Sequence, residues 1–316
     1  NDGAGLVASL VKFLIENGGI LKFKQLFAAG ETFDEQRDAL ERIYGKGTGR
    51  LQAEWKEFVL SLALPEVTII DEMPSVEVLR ALDPPGDDKG DGDYTYPENS
   101  RAIPGIFDLR SLRISSDDEL VYFQLQFANL NPAKISSDEG FNGTFAAIVI
   151  DCDDRAGSGN TRLFFDNGNF ELSERDGYEF VIEVSNAGIL VYDQDWVWHL
   201  LWLKAFSQQS HIKGNEILFA VPLGIIGTPG PTWKVQVVSG GQTGGHRNTA
   251  YGVGKFTKVG RQSTQEQGGG GTSTVFNPDV YDILTPKNTD QRRILGSYDV
   301  TKSKKATIPM ISLEQR

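Results

Sequence analysis

Five aspartates, Asp83, Asp87, Asp88, Asp91 and Asp93, fall within eleven residues of the segment DPPGDDKGDGDYTYP, which spans Asp83 to Pro97. Carboxylates this close repel one another unless something cancels their charge. Three glycines and three prolines in the same segment restrict how far the loop can spread to relieve that repulsion. Clustered oxygen ligands on tight turns suit Ca²⁺, which takes about six to eight oxygens. Mg²⁺ keeps more of its waters, and zinc would want the His or Cys that this segment lacks. An EF-hand fits only in part. Asp87, Asp91, Gly92 and Glu98 can take its first, fifth, sixth and twelfth places, but Lys89 falls where the third ligand belongs. No flanking helices are expected, so calcium is kept and the EF-hand is not. The alternative is a solvated acidic turn. A second acidic group, Asp151, Asp153 and Asp154, follows the apolar run 146–150. It is either another cation site, with Asp151 and Asp153 as ligands, or a strand end whose aspartates make local turn bonds.

Other chemistries find little support. His199, His211 and His246 are scattered, no Gly-x-Ser-x-Gly elbow accompanies them, and no HExxH is present. Met73 and Met310 lie outside the segments that look like strands, and without CxxCH no haem is expected. Cys152 beside acidic neighbours is expected to have a raised, unreactive thiol pKa. As the lone cysteine, it can form no internal disulfide. The four-glycine run 268–271 lacks the Lys-Ser/Thr of a phosphate loop and is expected to be a polar loop.

The elements that must position these residues divide the chain in three. Residues 1–64 carry helical periodicity: Leu6, Leu10, Phe13 and Leu14, then a stop at Asn17-Gly18-Gly19. A short second helix over 20–28 follows. Thr32 and Glu35 form a capping box for the next, which stops at Gly45. Leu51, Trp55, Phe58, Val59 and Leu62 mark a fourth. Residues 65–80 read as a linker with an opening strand. Residues 81–316 alternate apolar and polar positions over 119–127, 144–150, 178–184, 188–192, 216–221 and 233–238, each suited to a half-buried strand. Gly and Pro clusters between them predict a mainly β fold, an antiparallel jelly-roll-like β-sandwich preceded by a small α-helical segment.

Composition sets outer bounds. At 316 residues, 39% apolar and 23% charged, the chain has room for one large or two ordinary domains of roughly 150 residues. A net charge of −12 argues against nucleic acid, whose phosphates select basic surfaces. No run approaches ~18 consecutive apolar residues, so no transmembrane segment is expected. The chain starts at Asn1 without a leader pattern, so a processed chain or a fragment is expected.

The acidic segment, followed by IPGIFDLRSLRIS and ELVYFQLQF, resembles the C-terminal domain of glucodextranase and related amylopullulanases, of the DOMON and family-9 carbohydrate-binding-module class. The motif residues are Asp83-Pro84, Gly86-Asp87-Asp88, Gly90, Tyr94-Thr95-Tyr96-Pro97 and Phe107-Asp108-Leu109. Asn277-Pro278-Asp279-Val280-Tyr281-Asp282-Ile283-Leu284, with Pro286, Gln291 and Leu295, is similar to the family's closing segment. The likeness covers about residues 78–300. It implies a jelly-roll sandwich, structural calcium with Asp108 among its ligands, and a secreted or cell-surface setting. Residues 1–64 more faintly resemble the last helices of a gluzincin metallopeptidase domain, through Tyr44-Gly45, Leu51 and Trp55.

Modules of this class stack flat aromatic rings against sugars, and the candidates here are Trp196, Trp198, Trp202 and Trp233. In Asp195-Trp196-Val197-Trp198-His199 strand alternation would place Trp196 and Trp198 on one face, as a platform if solvated and as core if not. The expected function is a non-catalytic, calcium-stabilised extracellular module that binds polysaccharide or glycan as part of a larger secreted protein. Two rivals are a secreted zinc metallopeptidase fragment without its catalytic motif and a structural subunit of a surface layer or filament, its partners being copies of itself.

Overall fold

The structure is a computed structural model that describes residues 3–29, 33–61, 72–74, 76–89, 95–96, 103–130, 143–163, 167–185, 188–202, 211–241, 256, 259, 278–285 and 289–313. The chain forms two compact units, Asn1–Thr68 and Ile69–Arg316.

The first unit holds α1 (Gly3–Phe27), α2 (Phe33–Tyr44) and α3 (Thr48–Ser61). The expected stop near residue 18 appears as a break inside α1, where Gly19 leaves helical geometry at φ 79°, ψ 160°. Gly18 is needed for another reason: a Cβ there would sit 2.6 Å from the Tyr44 ring. Phe13, Leu14, Tyr44 and Leu51 form the small core, and the buried Tyr44 hydroxyl donates to the Leu14 carbonyl at 3.1 Å. Glu41 accepts from the Thr48 amide at 2.9 Å, satisfying one of the orphan donors that start α3. Thr32, Leu62 and Pro65 lie outside the described residues.

The second unit is mainly β. Its strands are β1 (Glu77–Leu82), β2 (Leu109–Ser116), β3 (Leu120–Phe127), β4 (Thr144–Asp151), β5 (Phe170–Leu172), β6 (Phe180–Ser185), β7 (Gly188–Asp193), β8 (Trp198–Trp202), β9 (His211–Lys213), β10 (Glu216–Pro222), β11 (Lys234–Gly241), β12 (Asp282–Ile283), β13 (Ala306–Ile308) and β14 (Ile311–Ser312). One antiparallel sheet runs β1-β2-β3-β10-β9; the other runs β12-β11-β4-β6-β7-β8, with β14 also on β11. A short parallel pair, β5 with β13, stands apart. Short helices α4 (Leu223–Ile226) and α5 (Gln291–Leu295) follow β10 and β12.

Alternation explains the sandwich. Ile114, Phe123, Leu125, Ile217 and Phe219 from the first sheet pack against Ile148, Ile182, Val184, Val235 and Val237 from the second. The expected half-buried pattern holds for β3 but fails for β4, which is buried along its whole length. The far face of β4, with Phe145, Ala147 and Val149, meets a second core containing Phe107, Phe170, Tyr281 and Leu295. Segments outside the two sheets therefore cover that face, and a strand buried on both sides reads as a continuous apolar run.

Candidate functional site

Asp83 directly follows β1, and its amide donates to the Arg110 carbonyl at 2.9 Å, continuing the β1–β2 ladder by one rung. The chain then turns through Pro84-Pro85-Gly86, where Gly86 sits at φ 78°, the left-handed value that a Pro-Gly turn requires. Gly86 N donates to Asp108 Oδ2 at 3.0 Å. This turn delivers Asp87 and Asp88 beside the start of β2. Asp282 arrives from β12, paired with Ser239 of β11. One carboxylate oxygen from each of Asp83, Asp87 and Asp282 lies within 4.8 Å of the other two.

The bonding around the cluster is incomplete. Asp83 Oδ1 accepts from Thr285 N at 2.7 Å and Thr285 Oγ1 at 3.0 Å. Asp282 accepts from Leu109 N at 2.7 Å and Ile283 N at 2.9 Å. Asp108 Oδ2 pairs with Arg110 at 2.9 Å. Yet Asp83 Oδ2, Asp87 Oδ1 and Asp108 Oδ1 are buried with no hydrogen-bond partner. Burial, then mutual repulsion, pushes these groups up: Asp87 and Asp108 to about 6, and Asp83 and Asp282 well above the ordinary carboxylate range. Burial without compensation is costly, on the order of 1–3 kcal/mol for each unsatisfied group.

These residues fit a calcium ion. Oxygens bound to one Ca²⁺ at about 2.3–2.6 Å lie no more than about 5 Å apart, which the cluster satisfies. Its donors are all carboxylate oxygens, the wrong set for zinc. A cation here would meet carboxylates of which Asp83 and Asp87 each keep one buried oxygen without a partner.

Aromatic residues hold this arrangement. The Tyr96 hydroxyl donates to Asp88 Oδ2 and accepts from Gly105 N at 3.1 Å and Phe107 N at 3.3 Å. Its ring stacks on Phe107 at 5.2 Å, which stacks on Tyr281 at 4.5 Å. Gln291 Nε2 donates to the Asp87 carbonyl at 2.8 Å, and Gln291 Oε1 accepts from Ile283 N at 3.0 Å. Gln291 thus ties the acidic turn to the strand that bears Asp282.

Of the expected ligands, Asp83 and Asp87 meet, while Asp88 and Asp108 flank them and repel them electrostatically. Asp91 and Asp93 lie outside the described residues. Asp282 was not expected as a ligand. It stands in the closing segment, 199 positions after Asp83, and no local spacing signals the meeting. Asp151 and Asp153 do come together, with a third carboxylate, Glu179, that no motif marks.

The tryptophans separate. Trp233 is 2% exposed and packs in the sandwich core, which closes its ring to a sugar; the expectation of a binding role there is corrected. The alternation joining Trp196 to Trp198 is also corrected. β8 starts at Trp198, and Trp196 lies in the turn before it at φ 63°. In that turn Asp193 Oδ1 accepts from Asp195 N and Val197 N, each at 2.9 Å. Trp196 is 38% exposed, and its Nε1 donates to the Tyr178 hydroxyl at 3.3 Å. The side chains of Trp198 and Trp202 lie outside the described residues. His199, on β8, places Nε2 2.7 Å from Asp193 Oδ2, so it braces the same turn from the strand. His246 and the 268–271 run lie outside the described residues.

A family model for the C-terminal binding module, SLH-like, of glucodextranase matches residues 78–311. No curated protein matches the chain. The helical unit ends before the matched region begins. Among the described residues no helix is long and apolar enough to cross a membrane. Because the matched region takes in both sheets, the acidic turn and the closing strand, the chain belongs to the family of glucodextranase C-terminal, SLH-like binding modules.

Proposed function

We propose that this chain is a non-catalytic module that binds polysaccharide outside the cell, stiffened by calcium held at Asp83, Asp87 and Asp282. The observation that carries this reading is the nest of three carboxylates, in which Asp83 and Asp87 each keep a buried unpartnered oxygen, inside a chain of a binding-module family. The SLH-like description supports a cell-surface setting. Calcium would supply positive charge only. Tyr96 and Thr285 orient the carboxylates of Asp88 and Asp83, and Gln291 holds the backbone of Asp87. On the binding side, Trp196 offers an exposed ring at the tip of the β7–β8 turn. Aromatic faces of this kind combine large contact area with little side-chain entropy to lose.

Binding to a panel of insoluble and soluble polysaccharides, with dextran-type glucans first because the family takes its name from a glucodextranase module, tests the reading. Retention by at least one glucan is expected with Ca²⁺ present. Trp196→Ala should weaken that affinity about tenfold, or ~1.4 kcal/mol, without lowering the melting temperature. A chain that ignores every polysaccharide offered, while folded and calcium-loaded, would remove the binding assignment.

A further inference from the structure

Asp151 ends β4, Asp153 lies in the turn that follows, and Glu179 immediately precedes β6, the antiparallel neighbour of β4. One carboxylate oxygen from each lies within 4.8 Å of the other two. We propose that Asp151, Asp153 and Glu179 form a second Ca²⁺ site, independent of the one at Asp83, that clamps the turn after β4 to the start of β6.

Two buried oxygens point to a ligand. Asp151 is 1% exposed, and its Oδ2 has no hydrogen-bond partner. Glu179 Oε1 is likewise buried and unpartnered. The other oxygen of each is occupied by backbone. Asp151 Oδ1 accepts from Asp153 N at 3.1 Å and Asp154 N at 2.8 Å. Glu179 Oε2 accepts from Cys152 N at 2.7 Å. Those bonds fix both carboxylates and leave their second oxygens to the cluster. A buried carboxylate oxygen without a donor is expensive, and a hard cation removes that cost for both at once.

Basic side chains do not bond the two unpartnered oxygens. Lys234, opposite Asp151 on β11, acts on Asp151 through its charge, while its ammonium pairs with Asp154 and with Asp176, the latter at 2.9 Å. Arg155 Nε stands 3.8 Å from Asp153 Oδ2 on a side chain 76% exposed, a pairing that water screens. The Cys152 sulfur faces the Ile226 carbonyl at 3.8 Å, and its amide rather than its thiol meets Glu179. The donors are therefore oxygens, with the Ser158 hydroxyl, which donates to Asp153 Oδ1 at 2.8 Å, at the rim. Oxygen-only donors favour calcium over zinc.

The clamp reaches further. Gln194 N donates to the Glu179 carbonyl at 2.9 Å, and Asn160 Nδ2 donates to the Gln194 carbonyl at 3.0 Å. An ion at Glu179 thus steadies the base of the turn that carries Trp196.

Calcium stoichiometry of the chelator-stripped full chain tests this, by equilibrium dialysis against Ca²⁺ with excess Mg²⁺ as competitor. Glu179→Gln and Asp151→Asn keep the oxygens that accept backbone amides, so both should fold. Each should bind one ion fewer than wild type, and Asp87→Asn should independently lose one. The double variant Asp87→Asn/Glu179→Gln should lose two. Glu179→Gln and Asp151→Asn chains that bind as many ions as wild type overturn the second site and leave the first untouched. If instead Asp87→Asn keeps the full count while Glu179→Gln loses one, the first assignment fails and this one stands.

Discussion

Glu183 shows how much one side chain can shift the pH response. It lies on β6, 2% exposed, with Oε1 accepting from the Tyr192 hydroxyl at 3.3 Å and Oε2 without a partner. Burial pushes its pKa up to about 8. Its contribution to stability is therefore complete below the ordinary glutamate value of 4.5 and is lost as pH rises toward about 8, because the unfolded chain ionises first. Glu183→Gln cannot ionise. Its melting temperature relative to wild type should climb between pH 4.5 and pH 8 and level off above. A difference that stays flat over that window, measured at constant calcium, would show that Glu183 is already satisfied in the native protein. Asp83 and Asp87 behave differently, since a bound cation would hold them ionised and reverse their response.

Among the elements, the loop 157–160 and the approach to β6 interlock through two glycines. A Cβ on Gly177 would meet the Ser158 carbonyl oxygen at 2.1 Å, and one on Gly159 would meet Gly177 C at 2.5 Å. Both obstacles are backbone, which cannot rotate away. The close approach lets Asn160 and Tyr178 exchange backbone hydrogen bonds at 2.9 and 2.8 Å, so Tyr178 and Glu179 hold position beside Asp153. Gly177→Ala should cost about 1–3 kcal/mol through overpacking, read as a lower denaturant midpoint. Gly224→Ala, with open space around the new Cβ, should change it little. Equal midpoints for the two variants would mean that the loop yields at no cost.

At the scale of the whole molecule, the first carboxylate cluster joins the two faces of the sandwich. Asp83 extends β1 of one sheet and Asp282 lies on β12 of the other, so an ion between them cross-links the sheets. An ion that binds only the folded state, present at a thousandfold excess over its Kd, adds about 4 kcal/mol. For a unit of this size that raises the melting temperature by about 10 °C. Calorimetry of the full chain should show the transition of the sandwich unit falling when EDTA is added and returning with Ca²⁺. Identical traces in EDTA and Ca²⁺ would dismiss the cross-link. The transition of the three-helix unit, which contains neither carboxylate cluster, should stay in place.

The residues alone determined the class of fold, because period-two alternation and Gly/Pro punctuation are local properties that survive without tertiary knowledge. They also marked the acidic turn, since charge crowding within a few positions is visible in one dimension. The breaks at Gly19 and Gly45 belong to the same group, as backbone conformations that glycine tolerates best. Three matters waited for the folded chain. Asp282 joins Asp83, and Glu179 joins Asp151, only because antiparallel pairing and sheet stacking bring distant positions together. Trp233 became core and Trp196 surface because burial depends on what packs above a ring, which alternation on one strand does not encode. β4 proved buried on both faces because segments far along the chain cover it. A sequence specifies local geometry and charge directly, while the meeting of distant side chains depends on register and layer order, which only the assembled sandwich sets.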